Sequence, residues 1–531
     1  MEKTKTIQAI ESAQTYLGIE FGSTRIKGVL IGPDHTAVAS GDFVWENRFE
    51  NGVWTYHQDE IWSGLQSCYA ALARDVAEKY GVTLTKIGGI GVSAMMHGYL
   101  PFAADGSLLT PFRTWRNTIT GQAAAELTEL LNFNIPQRWT AAHLYQAILN
   151  GEDHINDIDH LTTLAGYVHW QLTGKKVVGT GEASGIFPLD SASGGYDGAM
   201  LEKFQAVCEA HGWKRRAVDV FPAILPAGGD AGTLTAEGAK LIDPTGTLQP
   251  GCPAAPPEGD AGTGMVATNS VAPRTGNVSA GTSIFSMVVL EKPLDSYYEE
   301  IDMVTTPTGA PVAMVHCNNC TNEINAWAGV FRGLLDALGM QTDMGSLYTA
   351  MFQSAAQGEK DCGGLTLYNY LSGEPVTGLA EGRPLMFRGP EARLTFPNFM
   401  RAQLYSAVAT LQVGMDILAR ENVRIDRLFG HGGFFKTPTV GQSILAAATG
   451  APITVMDSVG EGGAWGMALL AAYRVEKAHG ETLEDYLDRR IFAGQTGVTL
   501  SPTVEDQEGF RVFMERYRAG LAVEKAACQC P

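Results

Sequence analysis

The sequence predicts a protein built from two α/β domains. Its 531 residues exceed the size at which a single hydrophobic core keeps growing, so two large domains are expected. Strand, helix and strand patterns follow one another near the N-terminus, which indicates an α/β layer. Similar patterns return in the second half of the chain, so the two domains are predicted to be built alike.

The first half opens with a predicted hairpin. Residues 16–31 have the pattern of a strand, a tight Gly-Ser-Thr turn and a second strand. Apolar residues then recur at helical spacing between positions 58 and 80, and residues 86–93 have the pattern of a buried strand. These elements together give the strand, helix and strand order of the first domain.

The second half repeats this order. Residues 276–285 contain another Gly-Thr-Ser turn, residues 401–419 form a predicted amphipathic helix, and 427–429 lead into Gly-His-Gly-Gly. Asn269, Ser270 and Pro273 interrupt the pattern between the two halves, which places the predicted boundary near 268–274. The predicted parts are a first domain at 1–268, a second domain at 269–505 and a peripheral tail at 506–531.

Composition and charge narrow the class of protein. Hydrophobic residues make up 45% and charged residues 18%, the balance of a folded globular protein. The net charge of -19, with no Lys/Arg-rich run, weighs against binding to nucleic acid or to anionic membranes. The first fifteen residues contain no continuous apolar stretch, so we expect neither a signal peptide nor a membrane span, and a cytoplasmic protein.

The eight cysteines are scattered along the chain and are predicted to be reduced thiols. Cys317 and Cys320 have a spacing found in metal sites, but no second such pair follows. A structural zinc site normally has four ligands, so these two are not expected to bind metal. Cys528 and Cys530 lie in the predicted tail.

Two short turns and a pair of glycines have the composition of a nucleotide site. The turns at 22–24 (Gly-Ser-Thr) and 281–283 (Gly-Thr-Ser) can present peptide N–H groups and hydroxyls to an anion. A turn of this composition, taken alone, is more often an ordinary hairpin connection than a phosphate site. Gly432 and Gly433 follow a hydrophobic strand and permit close approach of adenine and ribose, and a helix rich in small residues begins at 461–468.

In these elements the sequence resembles the FGGY family of carbohydrate kinases, within the actin/hexokinase/heat-shock-protein ATPase superfamily. The resembling elements follow one another from Gly18 to about Ala471. They are the first phosphate motif at 18–27, Met95-Met-His-Gly98, Leu172-Thr-Gly174 followed by Glu182-Ala-Ser184, Gly259-Asp-Ala261, Ser279-Ala-Gly-Thr-Ser283, Asn369-Tyr-Leu-Ser-Gly-Glu374, and the segments around Gly432 and Gly463.

The resemblance implies two actin-like/ribonuclease H-like ATPase domains flanking a central cleft, with ATP and Mg²⁺ as cofactors. Asp260 is implied as the catalytic base, and Glu20 and Asp260 as metal ligands, although Glu20 stands where the family has an aspartate. The implied nucleotide-binding residues are Gly22, Ser23, Thr24, Gly281, Thr282, Ser283, Gly432 and Gly433. The implied sugar-binding residues are Met96, His97, Gly98, Trp115, Asn117 and Asp260.

Two alternatives remain open at the residue level. Asp230 lies in Gly229-Asp-Ala231, a near-copy of the segment around Asp260, and is the competing base; the position of Asp260 beside the predicted boundary favours Asp260. Asn117 stands where xylulokinase-like members carry an aspartate, which exchanges a charged acceptor for a neutral group and affects which sugar hydroxyls are bound.

The sequence therefore predicts ATP-dependent phosphorylation of a sugar at a terminal hydroxyl, with a ketopentose such as xylulose as substrate. The Met-His-Gly element favours a xylulokinase-like enzyme; an L-ribulokinase-like or other ketose or polyol kinase is the alternative. A nucleotide-dependent binding protein without sugar turnover is the alternative of another class. The expected partner is a small-molecule sugar, and the resemblance makes a homodimer plausible.

Overall fold

The computed structural model describes residues 3–456 and 462–530. These residues form two compact units. The first comprises residues 3–271, 303–311 and 462–494, and the second comprises 272–302, 312–456 and 495–530. The chain thus passes from the first unit to the second after Val271, and two later segments of the chain belong to the first unit again. The predicted division into a sugar-binding domain at 1–268, a nucleotide-binding domain at 269–505 and a tail at 506–531 remains a prediction.

The described strands are numbered in chain order. They are β1 (Tyr16–Phe21), β2 (Arg25–Ile31), β3 (Ala37–Val44), β4 (Arg48–Glu50), β5 (Val53–Thr55), β6 (Gly89–Ala94), β7 (Leu100–Phe102), β8 (His160–Thr162), β9 (Val177–Gly179), β10 (Ala223–Leu225), β11 (Glu258–Gly259), β12 (Thr275–Ala280), β13 (Ile284–Val289), β14 (Asp302–Thr305), β15 (Pro311–Cys317), β16 (Leu365–Tyr368), β17 (Leu385–Arg388), β18 (Arg427–His431), β19 (Ile453–Met456) and β20 (Gly497–Leu500).

The described α-helices are numbered in the same way. They are α1 (Lys3–Glu11), α2 (Gln58–Tyr80), α3 (Gly121–Leu131), α4 (Thr140–Leu149), α5 (Leu164–Thr173), α6 (Thr180–Ala183), α7 (Gly198–Ala210), α8 (Ala217–Val220), α9 (Ala236–Ile242), α10 (Asp260–Ala267), α11 (Asn322–Ala337), α12 (Met344–Ala356), α13 (Phe396–Arg420), α14 (Val440–Thr449), α15 (Gly463–Glu476), α16 (Leu483–Tyr486) and α17 (Val504–Ala527).

The first unit is organised around a five-stranded sheet in the order β11-β6-β1-β2-β3. Strand β1 pairs antiparallel with β2 and parallel with β6, and β6 pairs parallel with β11. Helix α2 covers this sheet and ends at Gly81, whose φ of 73° is a conformation that glycine adopts without strain. The hairpin, helix and strand predicted from residues 16–94 are confirmed.

The second unit repeats this strand pattern. Strand β12 pairs antiparallel with β13 and parallel with β18, β13 pairs antiparallel with β15, and β18 pairs parallel with β19. Helix α13 begins after Thr395, whose side chain accepts the N–H of Asn398 and so caps the first turn. The predicted similarity of the two halves is therefore present in the pairing of their strands.

Helix α15 packs on the sheet of the first unit. A Cβ atom added at Gly18 would lie 2.0 Å from the carbonyl oxygen of Ala464, so the helix and β1 approach as closely as two backbones can. The predicted segment of small residues starts at Glu461, which lies outside the described residues. From Gly463 onward it forms α15, which packs on β1 within the first unit. No helix in the described part of the chain is long and apolar enough to cross a membrane.

Candidate active site

Three segments with predicted site residues each follow a strand of the first unit and lie at the same end of its sheet. Strands β1, β6 and β11 run parallel, with Phe21 and Gly259 both aligned to Ala94. The segments that follow these strands are the 22–24 turn, the Met-His-Gly motif at 95–98, and Asp260. Carboxyl ends of parallel strands are where α/β proteins bind ligands, and all three segments lie there.

Asp260 begins helix α10 and is held through one oxygen of its carboxylate. Its Oδ1 accepts the peptide N–H groups of Met96 at 3.2 Å and of Ala261 at 3.0 Å. No described residue donates to Oδ2, and the residue is exposed. The carboxylate is therefore oriented by the backbone and keeps one oxygen for an incoming proton.

The pKa of Asp260 is raised above its ordinary value. Although its tip reaches solvent, surrounding protein removes part of its hydration, and this burial outweighs the opposing peptide N–H groups and the charge of Arg138. A carboxylate with a raised pKa is a stronger base than a free aspartate, which suits proton transfer from a hydroxyl.

Asp230, the competing base, has a different environment. Its side chain is 68% exposed and pairs with Arg474 at 3.2 Å and with Lys175 at 3.6 Å. The peptide N–H of Gly232 and these two cations lower its pKa. A paired surface carboxylate is a weak base, so the geometry favours Asp260.

The Gly22-Ser23-Thr24 turn directs its hydrogen-bond donors outward. The indole N–H of Trp45 donates to the carbonyl of Gly22 at 2.7 Å, and the hydroxyl of Tyr56 donates to that of Ser23 at 2.6 Å. No described residue accepts from the peptide N–H groups or hydroxyls of Ser23 and Thr24, and both residues are exposed. Because its carbonyl groups already accept hydrogen bonds from the protein, the turn has its N–H groups and hydroxyls left to bind an anion.

The Gly281-Thr282-Ser283 turn has the same design in the second unit. The N–H of Thr321 donates to the carbonyl of Gly281 at 3.1 Å, and that of Cys320 donates to Thr282 at 3.0 Å. Among the residues that the structure describes, none accepts from the N–H groups or hydroxyls of Thr282 and Ser283. Each unit thus carries one turn whose chemistry suits a phosphate.

Gly432 and Gly433 lie beside the second turn. Strand β18 ends at His431, which aligns with Ser279 on β12. Gly432 has a φ of 105°, and a Cβ atom there would lie 2.4 Å from the carbonyl oxygen of Ala280. Gly433 has no atom within 4 Å of its Cβ position, so a ligand can approach its backbone closely.

Glu20 and Asp260 are the carboxylates that fit a magnesium ion. Burial and the charge of Asp260 together raise the pKa of Glu20 to about 7, against the N–H of Ala464 and the charge of Lys27. A bound cation offsets the repulsion that Asp260 exerts on ionised Glu20, and Mg²⁺ prefers oxygen ligands. The described residues contain no cluster of three metal-ligating side chains, so phosphates and water would complete the coordination.

His97 is positioned for a neutral contact with a hydroxyl. It is buried, has a φ of 74°, and stacks on Trp139 at 6.2 Å between ring centroids. Burial, with the charge of Arg138, holds the pKa of His97 well below its usual value. Its Nδ1 lies 3.4 Å from the carbonyl of Gly185, which leaves Nε2 as the acceptor in the neutral ring.

Trp115 and Asn117 follow the Met-His-Gly segment. Trp115 is partly exposed. Asn117 is buried, donates to the carbonyls of Trp54 at 2.8 Å and Thr114 at 2.9 Å, and accepts the N–H of Trp54 at 2.8 Å. Both of its amide hydrogens are therefore used by the backbone. Its predicted sugar contact stays a prediction and is limited to the amide oxygen.

Two buried glutamates lie beside the site. Sequence reasoning missed Glu258 and singled out Glu182 only as part of the Glu182-Ala-Ser184 motif. Glu258, two residues before Asp260, is 1% exposed, and Glu182 is fully buried. Burial raises the pKa of Glu258 to about 8 and that of Glu182 well above its usual range. A glutamate at the end of an otherwise apolar buried segment, Ala254 to Gly259, was the available signal.

The cysteines form no cross-links. All eight are free thiols, and Cys317 and Cys320 are both buried. Burial raises the pKa of each of these two thiols. A buried thiol with a raised pKa is a weak ligand and a weak nucleophile, which makes these two residues part of the core.

Comparison with known proteins decides the family. The model of the N-terminal domain of the FGGY family of carbohydrate kinases matches residues 15–248, and the model of the C-terminal domain matches residues 276–475. The chain belongs to the FGGY family of carbohydrate kinases. It is a phosphotransferase that acts on a sugar, with the mixed α/β, actin-like/ribonuclease H-like fold of this family, whose members use ATP as co-substrate.

Individual relatives of this kinase are distant. A xylulose kinase of Haemophilus influenzae is 21% identical over 521 residues, which cover 96% of this chain and 99% of the relative. Among solved structures, a "xyloylose kinase" of Brucella ovis has a TM-score of 0.77 at 19% identity, covering 97% of this chain and 100% of its own. A gluconate kinase of Lactobacillus acidophilus also has a TM-score of 0.77, at 17% identity, covering 96% and 99%.

Proposed function

We propose that this sugar kinase transfers the γ-phosphoryl group of ATP to a terminal hydroxyl of a ketopentose, with xylulose as the first candidate, and that Asp260 is the catalytic base. The observation that carries the proposal is the position of Asp260. Its carboxylate is bonded to the N–H of Met96, beside His97, and its other oxygen accepts nothing from the described residues. A base at this point can meet a hydroxyl that the Met-His-Gly segment binds.

Asp260 moves one proton in this reaction. Oδ2 takes the proton of the sugar hydroxyl while the hydroxyl oxygen forms a bond to the γ-phosphorus. The bond between that phosphorus and the bridging oxygen breaks, and ADP leaves with the electron pair. General bases of this kind accelerate reactions by about 10²–10⁴-fold, and the rest of the rate comes from positioning and charge stabilisation.

The turns at 22–24 and 281–283 and the carboxylates of Glu20 and Asp260 bind the phosphates of ATP and their metal ion in this proposal. We assign phosphate oxygens to the N–H groups and hydroxyls of residues 23–24 and 282–283, and the adenosine to Gly432 and Gly433. Glu20 and Asp260 are the residues that would hold Mg²⁺, which when bound neutralises charge on the transferring phosphoryl group. In this proposal residues 1–268 bind the sugar and carry the catalytic base, residues 269–505 bind the nucleotide, and the turn at 22–24 adds phosphate contacts.

The sugar is bound by neutral groups and an aromatic wall. Nε2 of His97 accepts a hydrogen bond from a sugar hydroxyl, and Trp115 covers an apolar face of the sugar. The xylulose kinase of Haemophilus influenzae, which aligns along nearly the whole chain, supports a ketopentose. The fold is shared with a gluconate kinase, so the acceptor needs a direct test.

A coupled assay of ADP formation with xylulose, ribulose, fuculose, rhamnulose, gluconate and glycerol tests the proposal. We expect ADP formation to depend on the sugar and xylulose to give the highest kcat/KM. A clear preference for ribulose or gluconate would replace the proposed acceptor and leave the base assignment standing. ADP formation that is equal with and without every sugar would refute the proposed reaction.

A further inference from the structure

A buried glutamate lies directly behind the proposed base. Glu258 belongs to β11, a strand of two residues at the edge of its sheet, and Asp260 directly follows the end of this strand. Strand β11 is paired over only two residues, Glu258 with Ser93 and Gly259 with Ala94. This short pairing is a weak backbone attachment for a catalytic group. The side chain of Glu258 supplies a second one.

This second attachment joins Glu258 to a turn formed by residues 179–185, here called the support turn. Oε2 of Glu258 accepts the N–H of Glu182 at 3.0 Å, and Oε1 accepts that of Gly181 at 3.4 Å. The N–H of Gly179 also donates to the carbonyl of Pro257 at 2.7 Å. The support turn and the strand that leads to Asp260 are therefore held together by the carbonyl of Pro257 and by the side chain of Glu258.

Only glycine permits this contact at two positions of the support turn. A Cβ atom at Gly179 would lie 2.2 Å from Oε1 of Glu258, and one at Gly181 would lie 2.5 Å from Oε2. The carboxyl group is thus buried close to the backbone of the support turn. Burying a carboxyl group opposes folding unless its oxygens are hydrogen bonded, so its presence here indicates a task that an apolar residue could not do.

The far end of the support turn contacts His97. The carbonyl of Gly185 lies 3.4 Å from Nδ1 of His97, and a Cβ atom at Gly185 would lie 2.6 Å from the same nitrogen. The support turn therefore touches the strand of the proposed base at one end and the proposed sugar-binding histidine at the other. A shift of this turn would change the distance between the two groups.

We propose that Glu258 is a positioning residue that fixes Asp260 relative to His97 by clamping the support turn. The proposal rests on the proposed function, since it names the residue that aligns base and sugar for that reaction. A displacement of about 1 Å at a reacting group can cost about 100-fold in rate. Losing the clamp should therefore lower kcat more than it weakens binding of ATP.

Three variants test this role: Glu258→Ala, Glu258→Gln and Glu524→Ala. The alanine variant removes both acceptors, whereas the glutamine variant keeps one carbonyl oxygen for the N–H of Glu182. Glu524 is the matched control, because it is equally buried and accepts the peptide N–H of Arg383 at 2.7 Å in the second unit. Each protein is assayed with ATP and the best acceptor of the six-sugar screen, at a temperature below every measured Tm.

We expect Glu258→Ala to lower kcat by at least about tenfold while the KM for ATP changes less than about threefold, as misalignment of a base predicts. Glu258→Gln should recover most of this loss, and Glu524→Ala should keep the wild-type kcat even where its Tm falls. Wild-type kcat in Glu258→Ala would overturn the proposal. So would equal losses in the glutamine variant or in Glu524→Ala.

Hydrogen exchange gives a readout that does not depend on turnover. In Glu258→Ala the amides of the support turn should exchange faster than in wild type, and in Glu258→Gln they should remain protected. Unchanged exchange in the alanine variant would overturn the clamp whatever the kinetics show. A wild-type protein that lacks sugar-dependent ADP formation would instead refute the proposed function, so the two failures are distinguishable.

Discussion

The peptide N–H of Met96 donates to Oδ1 of Asp260 at 3.2 Å. This bond joins two segments that are 164 residues apart in the sequence, the Met-His-Gly motif after β6 and the Gly-Asp-Ala motif after β11. It fixes the orientation of the proposed base by the backbone of the segment proposed to bind the sugar.

Asp260→Asn should lower kcat by about 10²–10⁴-fold, because the amide cannot accept the hydroxyl proton. Asp230→Asn is the matched control, since Asp230 lies in the same Gly-Asp-Ala pattern but is exposed and paired with Arg474. Steady-state ADP formation measures both. Loss of activity in Asp230→Asn with retention in Asp260→Asn would reverse the assignment of the base.

Glu20→Gln should raise the Mg²⁺ concentration needed for half-maximal activity and weaken its dependence on pH. In the wild type, Glu20 has a pKa of about 7, so it binds a proton as the pH falls from 8 to 6 and Mg²⁺ must displace that proton. Apparent Mg²⁺ affinity should therefore rise with pH through 7. Titrations of Mg²⁺ at pH 6 and pH 8 measure the effect.

The exposed Glu46, changed to glutamine, serves as the control for this titration because it lies in a nearby loop without a proposed ligand role. Its variant should keep the pH dependence of the wild type. The same Mg²⁺ requirement in Glu20→Gln and wild type at both pH values would remove Glu20 from the metal site.

Gly432→Ala should raise the KM for ATP and destabilise the second unit. Its φ of 105° costs a non-glycine residue about 1–3 kcal/mol, and the new methyl group would meet the carbonyl of Ala280. Gly329→Ala is the control, since that position on α11 has no atom within 4 Å of the added Cβ. Thermal unfolding and ATP kinetics measure both; equal behaviour of the two variants would contradict the expected crowding.

The stability of the first unit should fall below pH 6.5 partly because of His143. Burial, with the charge of Arg113, lowers the pKa of His143 to about 3, and neither ring nitrogen has a described partner. The unfolded chain binds a proton near pH 6.5 that the folded protein excludes, so stability is present above that pH and is lost as the pH falls. The loss approaches about 1.4 kcal/mol per pH unit.

His143→Phe removes this titration while keeping an aromatic ring against Tyr99. The free energy of unfolding should therefore decrease less steeply between pH 6.5 and pH 4.5 in the variant than in the wild type. Denaturant unfolding at several pH values measures the slopes. Parallel slopes for the two proteins would show that His143 is protonated without cost in the folded state.

Much of the fold was predictable because its signals are local. The Gly-Ser-Thr and Gly-Thr-Ser segments predict tight turns wherever they lie, since short polar residues and glycine adopt the backbone angles that turns require. The helical spacing of apolar residues between positions 58 and 80 likewise predicted α2, which spans Gln58–Tyr80. The return of residues 462–494 to the first unit was not predictable, because it depends on the packing of α15 against Gly18.

The sequence by itself determined the motifs, their order and the two-fold repetition of strand patterns. The position of Asp260 beside the predicted boundary already favoured it over Asp230. Only the tertiary structure showed how the surroundings of the two carboxylates differ, because both occupy a Gly-Asp-Ala segment. It alone brought Glu258 to the peptide N–H groups of Gly181 and Glu182, 76 or more residues away. Turns and helices follow from neighbouring residues, whereas the environment of a carboxylate depends on which distant strands pair beside it.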